Sequence, residues 1–237
     1  MPRYLVLAAF VLAVFAYTTN TFADRRFYVW TYQYQTMPQG NTELELYQTS
    51  KLRKVDQSEF RVEIEHGLTS RWDASLYEIF VQDEGAGLKW DAWQVRTRYR
   101  FGEVGQYVMD PLLYFEFNRK TESTSPNKLE AKLILAKTVD KWNLAVNPVY
   151  EIFFAPGSEH EIGLDIGTSL EFTPKFVVGL ESTTRMEFQD GETETASYFG
   201  PTVSFASSGL WISVGAAAGL TDDSDDARVR FITGIDL

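Results

Sequence analysis

The sequence predicts an all-β protein, a single antiparallel transmembrane β-barrel of about 12 strands. Three observations support this fold: an N-terminal export signal, many segments in which apolar and polar residues alternate, and aromatic residues near the ends of those segments. Hydrophobic residues make up 44% of the chain, yet its mean hydropathy of -0.22 is too polar for a bundle of membrane helices. A barrel reconciles these values, because only every second residue of a strand faces lipid.

Charge and composition exclude several classes of function. The formal net charge is -11, whereas a nucleic-acid-binding protein needs a basic surface to neutralise phosphates. The chain has no cysteine, which excludes disulfides, thiolate catalysis and cysteine-ligated zinc. We therefore expect no nucleic-acid partner, no cofactor and no metal site.

The first residues have the pattern of a secretory signal peptide. Arg3 supplies a positive charge, the stretch from Tyr4 to Tyr17 is almost wholly apolar, and Ala23 is a small residue at the expected cleavage position. A membrane anchor is the alternative, but the apolar run is shorter than the roughly 20 residues that span a bilayer. We predict a cleaved signal peptide at residues 1–23 and a location in the outer membrane of a Gram-negative bacterium.

Alternation recurs along the rest of the chain. From Glu59 to Glu65, Phe60, Val62 and Ile64 share one face of a strand and charged residues occupy the other. Strands are predicted at about residues 41–53, 56–67, 71–82, 90–102, 110–120, 128–139, 142–154, 160–172, 176–187, 196–206, 210–220 and 228–237. The barrel is thus expected to span residues 41–237.

The predicted connections alternate between tight turns and longer polar loops, as periplasmic turns and outer loops do in bacterial barrels. Tight turns are expected at residues 67–70, 138–141, 173–175 and 207–209, and outer loops at residues 83–89, 121–127, 156–159, 189–195 and 221–227. The connection at residues 103–109 is longer than the other periplasmic turns. An even strand count places both termini on the periplasmic side.

Aromatic residues near strand ends favour a membrane barrel over a soluble sandwich or a lipocalin-like barrel, because aromatic girdles mark membrane interfaces. This set comprises Trp72, Trp90, Trp93, Trp142, Phe172, Phe176, Phe199 and Phe231. One residue fits less well. Glu78 shares a face with Leu76 and Phe80, and a lipid-facing charge is tolerated best near the rim of a barrel.

Two short motifs resemble a known group of proteins. The sequence Glu-His-Gly-Leu-Thr-Ser-Arg-Trp at residues 65–72 is similar to a periplasmic turn of uncharacterised Gram-negative outer-membrane barrels, with Ser70 in place of the usual Asp. Met-Pro-Gln-Gly at residues 37–40 is also similar to that group, which includes transporter-like barrels encoded with phenol-degradation pathways. The resemblance implies a transport-like barrel and assigns no binding residues. The chain ends in Leu237, whereas such barrels usually end in an aromatic residue.

Residues 24–40 allow two interpretations. Alternation would place Tyr28, Trp30, Tyr32 and Tyr34 together, and the Pro38–Gly40 break separates them from the first predicted strand. This aromatic extension either plugs the lumen or lies at its periplasmic mouth. Alternatively, it begins the first strand through a kink. An aromatic track would suit sugars or aromatic solutes.

The inward positions of the strands carry charges of both signs. We predict that these residues line the lumen: Arg61, Glu63, Glu65, Arg96, Arg98, Arg100, Glu116, Glu130, Lys132, Glu151, Asp165, Glu181, Arg185 and Arg230. In an open pore they would produce a transverse field and a mild cation preference. In a closed barrel they would pair into a network that fills the interior. A barrel of this size lies between the side-chain-filled and open classes, so size leaves the choice open.

Few residues could carry enzymatic chemistry. His66 and His160 are the chain's only histidines and are predicted at opposite barrel ends. A lipid hydrolase would need a serine near a histidine, and Ser158 close to His160 lacks such a family's motif. The acidic loop at residues 221–226 lacks the spacing of a calcium loop and is interpreted as solvated or as weakly bridging divalent cations to lipopolysaccharide. We predict no enzymatic activity.

The sequence thus predicts a narrow porin-like pore for passive transport of small solutes or ions. A non-conducting structural or interaction barrel is the alternative, with a lipid hydrolase third. The expected partners are outer-membrane lipid and lipopolysaccharide, the barrel assembly machinery, and small solutes or ions.

Overall fold

A closed barrel accounts for most of the chain. The computed structural model describes residues 25–52, 57–154 and 159–237. Each strand pairs antiparallel with its sequence neighbours, and the first pairs with the last to close the sheet. The strands are β1 (Thr42–Leu52), β2 (Gln57–Thr69), β3 (Trp72–Asp83), β4 (Lys89–Arg100), β5 (Asp110–Lys120), β6 (Lys128–Val139), β7 (Trp142–Phe153), β8 (His160–Thr173), β9 (Phe176–Gln189), β10 (Glu192–Ser207), β11 (Leu210–Gly219) and β12 (Ala227–Asp236). The predicted all-β fold and strand number are confirmed.

One predicted outer loop is wrong. Residues 189–195 were expected to form a loop, but β9 ends at Gln189 and β10 begins at Glu192. The two residues between them have positive φ angles, 51° at Asp190 and 87° at Gly191. Asp-Gly in this conformation forms the two-residue turn that matches the twist of a hairpin, so pairing continues to the tip.

The two faces of the barrel differ as the alternation predicts. Apolar side chains such as Ile64 and Leu76 are exposed on the outside, while Glu63 and Tyr77, beside them in the sequence, are buried inside. Of the predicted girdle, these residues are exposed by more than a third: Trp72, Trp90, Trp142, Phe172, Phe176, Phe199 and Phe231.

The outward carboxylate of Glu78 has a polar partner. The indole Nε1–H of Trp90 donates a hydrogen bond of 2.7 Å to it. Both side chains lie beside an irregularity in the β3–β4 register, between Ile79 and Phe80. This bond satisfies one acceptor on a face that is mostly apolar.

The barrel has two distinct ends. The terminal end carries the start of β1 and the end of β12, together with the connections from β2 to β3 and from β8 to β9. The distal end is the opposite one. The predicted signal peptide, residues 1–23, and most of the predicted loop at residues 156–159 lie outside the described residues.

In the ranges that the structure describes, no helix is long and apolar enough to cross a membrane.

Candidate functional site

The barrel interior is the candidate site, and its charges on β2, β3 and β4 form one network. The guanidinium of Arg96 lies 2.8 Å from Glu63 and 2.5 Å from Glu65. Arg98 lies 2.7 Å from Asp73 and also contacts Glu65. All five side chains are almost fully buried. Because buried charges need partners, this direct pairing is what allows the residues to lie inside the barrel.

A second set of ion pairs lies on β6 to β9. Lys132 contacts Glu130 at 2.7 Å, and Lys128 contacts Glu151 at 2.6 Å. Arg185 forms a two-pronged contact with Asp165, with N···O distances of 2.6 and 2.9 Å. Charges of both signs therefore pair along the same wall.

The remaining predicted lining residues also project inward. Arg61 pairs with Glu59 at 2.7 Å, and Glu116 accepts a hydrogen bond from Tyr114. Arg100 donates to the carbonyl of Ser70 at the terminal end. The structure thus places the whole predicted set on the inner face, while a role in conduction stays a prediction.

Residues 25–38, named the plug here, form no strand and fold back into the lumen. Arg25 lies at the terminal end, where it contacts the carbonyl of Pro174 at 2.8 Å. The chain then rises to a tip around Trp30 and returns to the terminal end at Pro38, just before β1. Tyr28 and Val29 have no exposed surface. The plug is therefore a re-entrant loop with both ends on one side.

Glu181 of β9 holds the tip of the plug. Its carboxylate accepts hydrogen bonds from three consecutive main-chain N–H groups, those of Val29, Trp30 and Thr31, at 2.8, 2.9 and 2.7 Å. Hydrogen bonds to a charged acceptor are stronger than those between neutral groups. A single wall residue thus satisfies three donors that would otherwise be buried without partners.

Other wall side chains hold the two limbs of the plug. The amide of Asn147 accepts from the N–H of Tyr32 at 2.6 Å and donates to its carbonyl at 3.0 Å. Asp73 accepts from the N–H of Met37 at 2.9 Å, and Ser213 donates to the carbonyl of Arg26 at 2.7 Å.

Arg230 adds a contact of 3.2 Å to the carbonyl of Val29. These contacts satisfy main-chain groups that have left water, which is the requirement for burying a segment without regular structure.

Trp30 diverges from the plug's other aromatic side chains, so the expectation that they lie together is wrong for Trp30, while Tyr34 packs against the clusters of both Tyr28 and Tyr32. Tyr28 packs on Ala136 and Ala145, whereas Trp30 joins a cluster on the opposite wall with Tyr198. Tyr32 packs against Tyr114, with ring centroids 5.1 Å apart. Bends at the tip break the strand-like alternation, which is why Trp30 does not share a face with the other three.

The Tyr28 phenol is anchored by a polar contact. It donates to the side-chain oxygen of Asn143 at 2.8 Å. Burial raises the pKa of Tyr28, so the phenol keeps its proton and remains a donor.

The two motifs behind the resemblance contact each other. Gln39 forms an isolated parallel bridge with Gly67, and the N–H of Gly40 donates to the Gly67 carbonyl at 2.8 Å. A Cβ added to Gly67 would lie 2.1 Å from the carbonyl oxygen of Pro38. Only glycine therefore permits the plug to pass this close to β2.

Separate cavities lie at the two ends of the barrel. The distal cavity, of about 440 Å³, is lined by residues including Arg61, Gln94 and Lys120. The terminal cavity, of about 280 Å³, is lined by Arg25 and Phe27 of the plug together with turn residues. The two cavities share no lining residue, and the plug lies between them.

The histidines and the acidic loop lie away from the plug contacts. His66 bonds with Thr42 at 2.8 Å near the terminal end, and His160 stacks on Phe188 near the distal end. In the acidic loop, Ser224 and Asp225 are buried, so the solvated interpretation is wrong for these two residues. The N–H of Asp225 donates to the Tyr198 hydroxyl, which draws the loop over the barrel mouth.

Sequence reasoning missed most of the residues that hold the plug. Asn143, Asn147 and Ser213 are uncharged, whereas all of the predicted lining residues are charged. These residues could have been identified as polar residues at inward-facing strand positions. Asn147, for example, lies among apolar neighbours on β7. Asp73 is the one missed carboxylate among the plug contacts described above.

A comparison with protein families finds one match, over residues 103–227, to a family described as "Family of unknown function (DUF6662)". This region is more than half of the chain. The chain belongs to this family.

The region shared with the DUF6662 family runs from the β4–β5 connection to the start of β12. This region includes four residues that bond with residues 26–32 of the plug, namely Asn143, Asn147, Glu181 and Ser213. It excludes Asp73 and the plug itself. No curated protein matches the chain by sequence.

Solved structures of outer-membrane barrels share its fold. The COG4313 outer membrane channel from Pseudomonas putida F1 has a TM-score of 0.67 at 11% identity, covering 89% of this chain and 100% of that one. The NanC porin has a TM-score of 0.62 at 12% identity, covering 82% and 100%. The KdgM porin has a TM-score of 0.57 at 13% identity, covering 81% and 98%. This DUF6662 protein therefore has the fold of outer-membrane channels and porins.

Proposed function

We propose that this protein is an outer-membrane channel for small solutes or ions that the plug closes from the periplasmic side. The observation that carries the proposal is the Glu181 carboxylate, which holds the plug's tip inside the barrel through three main-chain N–H groups. The likeness to channels and porins supports the barrel as the frame of a pore. The terminal end would face the periplasm, as the termini of bacterial barrels usually do.

The plug can open the lumen without unfolding the barrel. Both of its ends lie at the terminal end, so it can withdraw towards the periplasm as a loop and need not thread through the wall. Its contacts are hydrogen bonds, ion pairs and aromatic packing, all of which are reversible. Solutes would enter from outside through the distal cavity, whose paired charges and amides suit polar molecules.

We further propose that the role is not enzymatic and that the outer surface contacts outer-membrane lipid and lipopolysaccharide. Delivery to the outer membrane through a cleaved signal peptide and the barrel assembly machinery belongs to the same proposal. The relation to barrels encoded with phenol-degradation pathways stays a prediction from the two motifs.

A non-conducting structural barrel is the second candidate. The buried pairing of Arg96 and Arg98 with Glu63, Glu65 and Asp73 favours it, because paired charges fill part of the lumen even without the plug.

Planar-bilayer recordings separate the two candidates. The full-length protein should show rare openings, and a variant lacking residues 25–38 should show a steady, larger conductance. Heat-modifiable migration on a gel verifies that each protein has folded. A folded deletion variant without conductance would favour the structural barrel, and equal steady conductance in both proteins would show that the plug closes nothing.

A further inference from the structure

Side chains of the wall form a set of hydrogen bonds with the main chain of the plug. Five side chains, those of Asp73, Asn147, Glu181, Ser213 and Arg230, bond with eight main-chain groups of the plug within the described residues. Wall side chains also contact plug side chains, as Glu171 does with Arg25 and Asn143 with Tyr28. Hydrogen bonds between wall and plug side chains are fewer than these eight, and cation–π contacts such as that of Arg228 with Trp30 add to them.

Main-chain groups are common to all peptides. A carboxylate that accepts three consecutive N–H groups, and an amide that pairs with both the N–H and the C=O of Tyr32, would bind the same groups in another extended or turned peptide. When the plug withdraws, Glu181 and Asn147 face an open lumen. A solute with consecutive amide N–H groups would then replace the contacts that the plug leaves.

The surroundings of these groups indicate which peptides fit best. The guanidinium of Arg26 stacks 4.2 Å from the Tyr32 ring and donates to the Tyr47 hydroxyl, which lies within hydrogen-bond distance of both Glu45 and Glu63. Arg96 already pairs with Glu63 in this pocket, and Glu45 adds a further buried carboxylate, which favours a second cationic side chain there.

Aromatic side chains also have a place on this wall. Trp30 packs in a cluster with Tyr47, Tyr198 and Trp211. Large rings bury much apolar surface in such a cluster, which favours an aromatic residue next to the cation.

We propose that the channel's solutes are short peptides with cationic and aromatic residues, and that the plug occupies their binding site while the channel is closed. This proposal rests on the proposed channel function. It names the solute class that the plug's own binding site would accept.

Three synthetic peptides test the proposal on the barrel without its plug. The first has the sequence of residues 25–36, the second is a scramble of it, and the third has the native sequence with N-methyl groups on the amides corresponding to Val29, Trp30 and Thr31. N-methylation removes the N–H donors to Glu181 and leaves the side chains unchanged. The barrel is made both as a deletion of residues 25–38 and with a Gly/Ser sequence of equal length in their place, so that a folding defect in one version does not prevent the test.

The readouts are block of the bilayer current and anisotropy of fluorescently labelled peptides on the folded barrel. The native and scrambled peptides should bind with affinities within about tenfold of each other, and the N-methylated peptide should bind at least about tenfold more weakly than the native one. Glu181→Gln in the barrel should weaken the native peptide similarly, while Glu187→Gln near the distal tip of the same strand should not.

Binding by the native peptide alone would overturn the proposal, because it would make the site specific for the plug, and so would equal binding of the N-methylated peptide. Absence of binding by all three peptides would overturn it as well. Anisotropy does not depend on conduction, so a barrel that binds peptides but passes no current would refute the channel function and leave peptide recognition standing.

Discussion

Gly67 of β2 and Pro38 of the plug lie so close that a Cβ on the glycine would be 2.1 Å from the proline carbonyl oxygen. At this contact the plug leaves the lumen, shortly before the chain enters β1. It also joins the two short motifs that distinguish the sequence, because each motif forms one side of the contact.

Gly67→Ala should loosen the plug. The added methyl group overlaps with main-chain atoms, which cannot rotate away as a side chain could, so the segment around Pro38 must shift. We expect more frequent openings in bilayer recordings. Gly87→Ala is the matched control, because a Cβ there meets no atom within 4 Å. Unchanged gating in Gly67→Ala would mean that this contact does not hold the plug.

Glu181→Gln should favour the open state. The substitution keeps the size of the side chain but replaces a charged acceptor of three N–H bonds with a neutral amide. Weakening these three charge-assisted hydrogen bonds costs about 3 kcal/mol. This corresponds to about a hundredfold increase in the ratio of open to closed states. Single-channel open probability measures the change, with Glu187→Gln as the control. An unchanged open probability would contradict the assigned role of Glu181.

A disulfide should lock the plug in place. A Cβ on Gly215 would lie 2.4 Å from a methyl carbon of Val29, so Val29→Cys and Gly215→Cys together bring two sulfur atoms within bonding reach. The chain has no other cysteine, so no competing disulfide can form within it. We expect the oxidised double variant to stay closed and to open on reduction. The single variant Val29→Cys should not respond to reductant, and a similar response there would disprove the lock.

Arg96→Ala should destabilise the barrel itself. It leaves Glu63 short of its cation and removes one of two cations from Glu65, inside a buried network. Breaking a buried pair in this way typically costs about 3 to 5 kcal/mol. Urea unfolding in lipid vesicles should show a lower midpoint. Arg71→Ala removes an exposed pair with Glu103 and should leave the midpoint unchanged. A midpoint for Arg96→Ala equal to that of the unmodified protein would show that the network is dispensable.

The sequence by itself determined the barrel. Alternation from Glu59 to Glu65 assigns each of these β2 residues to a face, because a strand has a period of two. The same rule applies to the remaining strands. The one misplaced loop, at residues 189–195, shows the limit of that rule, since the polar residues at the hairpin tip resemble a loop until the Asp190–Gly191 turn is recognised.

Only the tertiary structure decided what fills the lumen. Residues 24–40 fit a plug or a kinked strand equally well from sequence, because their aromatic residues satisfy either pattern. The plug forms because Glu181, Asn147 and Asp73, which are far apart in sequence, meet its main chain inside the closed barrel. Local alternation reports which way a side chain points. It does not report which distant main chain that side chain will meet.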